Sequence, residues 1–103
     1  MSRIGTNSNT SDVATISDSI TVGSSVSTPI YTTTKRTLRV VVTNAGNKDV
    51  FIKLQSASVD NDKKGMKLYK RSTADVMIAP NVYIGEISAI ATSESSELYV
   101  TGY

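Results

Sequence analysis

The 103-residue chain contains no cysteine, no histidine and no tryptophan, and only two prolines. Without cysteine there can be no disulfide framework, no thiolate metal site and no cysteine nucleophile. Without histidine the usual general base and the commonest transition-metal ligand are missing as well. No apolar run approaches the roughly 20 residues that a membrane-spanning helix needs. The amino terminus carries a single Arg3 among polar residues, which predicts neither a signal peptide nor an anchor. The composition therefore predicts a soluble chain made in the cytoplasm, with no cofactor and no membrane partner.

What is present is a globular balance of 39% hydrophobic and 19% charged residues, with roughly a quarter of the chain Ser or Thr. Such a composition weakens long helices and suits strands and turns. The net charge of +2 conceals a strong asymmetry. Residues 1–34 sum to −1, residues 35–71 hold ten Lys or Arg against three Asp for +7, and residues 72–103 sum to −4. A basic middle beside an acidic end predicts docking on a charged surface or contact between copies, while the plainer alternative is a row of lysines solvating one side of a sheet.

Along the chain, "MSRIGTNSNTSDVAT" has no periodicity and few apolar residues, and it predicts an extended or flexible arm over residues 1–15. Fully extended, the arm could reach on the order of 50 Å. From residue 16 onward short strand signals alternate with turn residues. "SITVG" stops at Gly23, and "STPIYTTT" carries Pro29, which marks an edge strand. "VVVTNAGNKDVFIKL" looks like two strands about one tight turn, with Asn44 and Gly46 suited to positive φ. Its expected inward faces are Leu38, Val40 and Val42, then Val50, Ile52 and Leu54, because the opposite faces carry Arg39 and Lys53. Met66 and Leu68, Val76 and Ile78, and Leu98 and Val100 continue the inward alternation, and Gly85 predicts a bend ahead of "EISAIAT". The fold expected is all-β: one antiparallel β-sandwich or small barrel of about seven to eight short strands over residues 16–103, preceded by the N-terminal arm.

Catalytic and metal motifs are weak. "DNDKKG" places Asp60, Asp62 and Gly65 at the first, third and sixth positions of a calcium loop, but Lys64 and Arg71 stand where ligands five and twelve belong. Asp75, Glu86, Glu94 and Glu97 have no sequence reason to converge as paired carboxylates. No phosphate-cradling glycine loop or nucleophile elbow is present, so the chain reads as no enzyme. "TKRTLR" and "DKKGMKLYKR" set Phe51 and Tyr69 among cations, as oligonucleotide-binding barrels do, yet the modest net charge and the lack of basic-aromatic alternation speak against nucleic acid.

The order "ITVG", "RTLRVVVTNAG", "DVFIKL", "GMKLYK", "YIGEISAIA" and "LYVTGY" resembles small β-rich virion structural proteins of tailed bacteriophages over about residues 17–103. The residues carrying the resemblance are Gly65 and Leu68, then Tyr83, Gly85, Glu86, Ile87, Ala89 and Ile90. They are turn and core residues, and they point to a fold without pointing to an active site. The resemblance implies a head decoration or cement protein whose partner is the major capsid protein or another virion subunit, with homo-oligomers open, in a virion assembled in the host cytoplasm. A neck, tail or fibre component, or a host-glycan module using Tyr31, Tyr69, Tyr83, Tyr99 and Tyr103, stands as the alternative. The contact residues expected are Arg3 and Ile4 in the arm, and Lys63, Lys64, Lys67, Lys70 and Arg71 in the basic block.

Overall fold

The computed structural model describes residues 15–16, 19–57, 63–78 and 83–103, with nine strands among them and no helix long and apolar enough to cross a membrane. The strands are β1 (Thr15–Ile16), β2 (Ile20–Gly23), β3 (Thr28–Thr32), β4 (Arg39–Asn44), β5 (Val50–Lys53), β6 (Met66–Leu68), β7 (Ser72–Ile78), β8 (Glu86–Ala91) and β9 (Ser95–Gly102). They form two antiparallel sheets. Sheet A runs β1–β9–β4–β7, with β2 on the same edge of β9 as β1, and sheet B runs β3–β8–β5–β6.

The pairings are nested: β5 with β6, β4 with β7, β3 with β8 and β2 with β9. One long antiparallel hairpin whose innermost pair is β5 and β6, rolled so that its arms close into two facing sheets, produces this order. It is the arrangement of a jelly roll, one of the ways an all-β chain packs two sheets over a single core. The all-β sandwich expected from alternation is therefore the fold, and Pro29 does lie on an edge strand, β3.

The core follows the two-residue period of the strands. Val22, Val40, Val42, Val50, Ile52, Leu68, Ile87, Leu98 and Val100 are buried between the sheets. Each such side chain contributes about 1.5–3 kcal/mol by leaving water. In β9 the alternation is unbroken, with Leu98 and Val100 inside and Glu97 and Tyr99 outside. β8 is buried on both faces: Ile87, Ala89 and Ala91 face the core, while Ser88 and Ile90 are covered on the outer side of sheet B. The β5–β6 connection is tied to this sheet and the neighbouring β2–β3 loop, since the Ala57 N–H donates to Glu86 Oε2 at 2.7 Å and Lys63 Nζ to the Ser24 carbonyl at 3.0 Å.

Three expectations are corrected. The stretch 40–54 is no hairpin, because β4 pairs with β7 and β9 in sheet A while β5 pairs with β6 and β8 in sheet B. Residues 45–49 form an arch between sheets, and neither Asn44 nor Gly46 has positive φ. Gly46 is needed for space instead: a Cβ there would stand 2.7 Å from the Glu97 nitrogen. In β7 the register shifts opposite Val40 and Val41, which leaves Val76 as an extra residue. Beyond that bulge Met77 pairs with Val40 and turns inward, whereas Ile78 pairs with Arg39 on the outer face. Finally, Leu38, Leu54 and Met66, expected inside, are 41%, 39% and 41% exposed, because each stands where its strand reaches the end of the sandwich.

Candidate functional site

The basic block predicted for contact does not form one cluster. Arg3 and Ile4 lie outside the described residues. Lys63 is held by the Ser24 carbonyl, and Lys64 is exposed beside the start of β6. Lys67, on the outer face of sheet B, stands 3.7 Å from Asp49 and lies over the rings of Phe51 and Tyr69 at 6.0 and 5.2 Å. Lys70 and Arg71 occupy the β6–β7 turn, where Arg71 adopts φ 60° and donates to Asn47 Oδ1 at 2.7 Å. Lys67, Lys70 and Arg71 thus follow the β6 edge of sheet B and its turn, whereas Lys63 reaches the β2–β3 loop beside the opposite edge strand, β3.

At the Lys70 end, the connections are pinned by polar side chains. Asn44, wholly buried at the close of β4, uses its full amide: Nδ2 donates to the Lys48 and Leu68 carbonyls at 2.8 and 3.3 Å, and Oδ1 accepts from the Gly46 N–H at 3.1 Å and Ser96 Oγ at 2.7 Å. An Asn two residues before the N–H it accepts is the geometry of an Asx turn. Asp49 accepts from the Lys70 N–H at 2.8 Å through its side chain, and its carbonyl accepts from Thr92. A groove of about 490 Å³ at this end brings Glu94 and Glu97 together with Lys48, which is 3.2 Å from Glu94. Both carboxylates stand in solvent, unlike the buried member of a hydrolytic pair.

The opposite end gathers the starts of β4, β6 and β8 and the ends of β3, β5, β7 and β9. Here Thr33 is the polar pin: buried, it donates to the Tyr83 carbonyl at 2.6 Å and accepts from the Gly85 N–H at 2.9 Å. Gly85, at φ 145°, supplies the bend expected before β8. On the outer face of sheet A, Arg39 Nε donates to Asp75 Oδ1 at 2.7 Å and the guanidinium lies 5.5 Å from the centre of the Tyr103 ring. The hydrogen bond that Arg39 donates to Asp75, and then the charge of Asp75, push the Arg39 pKa above arginine's ordinary value.

Six of the nine large apolar side chains exposed among the described residues lie at this end: Leu38, Leu54, Met66, Ile78, Ile84 and Tyr103. An open groove of about 480 Å³ between the close of β5 and the start of β6 is lined by Ile52, Leu54 and Met66, with Lys53, Gln55, Lys64 and Gly65 on its sides. Lys35, Arg36 and Lys64 stand exposed at the same end and form no ion pair among the described residues. Lys35 and Arg36 belong to the basic stretch "TKRTLR" already legible in the sequence, whereas Ile84 carried no signal; the apolar alternation of β4, β5 and β6 running one position past the strands' buried centres was the mark of the apolar end. Among the described residues no three acidic side chains converge as a metal site. No protein-family model, curated protein or solved structure matches the chain.

Proposed function

We propose that the protein is a non-enzymatic structural component of a tailed-phage virion that decorates or cements the outer surface of the capsid, where it contacts the major capsid protein or another virion subunit. The observation carrying this reading is the surface of the rolled sandwich: exposed apolar side chains gather at one end beside Lys35, Arg36 and Lys64, on a scaffold type that also serves viral shells. A shell protein of this kind works by adding buried area between subunits, which asks for a docking surface and a rigid core. No cofactor enters the reading. The test is quantitative mass spectrometry of purified particles from a phage encoding the chain. Hundreds of copies per particle support a shell position, a dozen or fewer move the protein to the neck, tail or fibre, and absence from particles overturns the reading.

A host-glycan module is the second reading, because jelly rolls also serve as lectins and Tyr69, Tyr99 and Tyr103 are exposed. Tyr69 and Tyr103 already receive cations over their rings, from Lys67 and Arg39, which occupies part of the stacking surface. Binding on a host-polysaccharide panel that is lost in Tyr99→Ala would favour the lectin reading over the shell.

A further inference from the structure

We infer that the apolar end of the sandwich is the docking surface for a protein segment that presents apolar side chains flanked by carboxylates. This rests on the reading of the protein as a docking module, and it does not depend on whether the partner belongs to a capsid.

Two observations at this end point the same way. Leu38, Leu54, Met66, Ile78, Ile84 and Tyr103 are between 36% and 57% exposed, so apolar area is concentrated where both sheets terminate. Concentrations of this kind mark interaction sites. Around them the described charge is net positive: Asp75 is paired with Arg39, and Glu86, which accepts from the neutral Ala57 N–H, is the one further side-chain carboxylate against Lys35, Arg36 and Lys64. The far end is more nearly balanced, for there Lys48 meets Glu94 and Lys67 meets Asp49, while Lys70 and Arg71 form no ion pair among the described residues and Glu97 adds a further negative charge. Lys35, Arg36 and Lys64 therefore leave the apolar end with an excess of positive charge among the described residues.

That asymmetry also argues against a second copy as the occupant. A two-fold pairing of this end would bring Lys35, Arg36 and Lys64 against the same cations of the copy, and like charges facing each other oppose association. An acidic, apolar segment satisfies both features: its side chains enter the groove over Ile52, Leu54 and Met66, and its carboxylates reach Lys64 on the groove's side. Lys35 and Arg36, in the β3–β4 connection, extend the same preference across the end.

The test uses the full ¹⁵N-labelled chain and two short peptides that share one leucine pattern, with Glu in one and Lys in the other at the polar positions. The Glu peptide is expected to shift the amides of Leu54, Lys64, Met66 and Ile84, and the Lys peptide to leave them unmoved. Lys35→Glu combined with Lys64→Glu, both exposed, should weaken the Glu peptide about tenfold and transfer the preference to the Lys peptide. Shifts confined to the β6–β7 turn, equal response to both peptides, or no response at millimolar peptide overturn the inference. So does concentration-dependent dimerisation that Leu54→Ser or Ile84→Ser abolishes, since a second copy would then hold the surface. The particle count described above decides the shell reading separately.

Discussion

Removing the amide of Asn44 should be among the most destabilising single changes the chain can suffer. In Asn44→Ala the Lys48 carbonyl, the Gly46 N–H and Ser96 Oγ lose partners at 2.8, 3.1 and 2.7 Å, at a position with no solvent exposure. A buried polar group left without its partner costs about 1–3 kcal/mol, and not all three groups can turn to water, so the expected loss is about 3–5 kcal/mol. That is a large share of the roughly 5–15 kcal/mol that holds a domain together. With an unfolding entropy of about 2.1 cal/mol/K per residue, a chain of this length should melt about 15–20 °C lower. Urea titration and calorimetry of Asn44→Ala, Ser96→Ala and the double variant measure the effect. The pair should couple by about 1 kcal/mol, because one hydrogen bond joins them. Asn44→Asp adds a second readout: the carboxyl would face two carbonyl oxygens inside the core, which raises its folded pKa above its unfolded value of about 3.9. With the folded pKa raised, stability is retained below the unfolded pKa and lost as pH rises through the folded one, so this variant should be weaker at pH 7 than at pH 4. A loss below about 1.5 kcal/mol for Asn44→Ala, or strict additivity with Ser96→Ala, would refute the pin.

Gly46→Ala should cost about 2–3 kcal/mol in a urea melt, because its Cβ meets the Glu97 nitrogen at 2.7 Å and the Ser96 Cα at 2.9 Å, backbone atoms that cannot step aside. Thr33→Val, which keeps the shape and removes the hydroxyl, should cost about 2 kcal/mol and speed hydrogen exchange at Gly85, while Thr33→Ser should cost less than about 1 kcal/mol. Ser88→Ala should raise stability by about 0.5–1 kcal/mol, since Ser88 Oγ is the one buried side-chain polar atom among the described residues without a hydrogen-bond partner. A drop in midpoint for Ser88→Ala would show that the hydroxyl is satisfied after all.

The candidate surface was legible in part. The +7 segment announced a cationic region, but the structure lays only Lys67, Lys70 and Arg71 along the β6 edge and its turn, and distributes Lys35, Arg36, Arg39, Lys48 and Lys53 over other elements. What the spacing could not show is that Lys67 is already engaged by Asp49 and two rings, and that Lys63 is held by Ser24, so residues adjacent in sequence are unequal as contacts. Nor could it show that Lys35, Arg36 and Lys64 meet at one end, because they belong to different connections. Ile78 illustrates the same limit within a strand. Alternation places it beside Val76 in the core, but one extra residue in β7 reverses the phase and Met77 takes the interior position.

Local pattern was enough to decide the class of fold, because a strand's two faces are set by neighbours two residues apart, and the centres of β2, β4, β5 and β9 kept the faces that alternation assigned to them. Pairing was another matter. A turn-rich five-residue link reads equally well as a hairpin or as an arch between sheets, and the choice for residues 45–49 rests on partners far along the chain: Leu98 and Val100 beside β4, Ala89 and Ala91 beside β5. The buried area and ladder hydrogen bonds of those distant strands, together with the closed amide of Asn44, settle the arch, and with it the rolled order of the sheets and the end at which the apolar and cationic side chains meet.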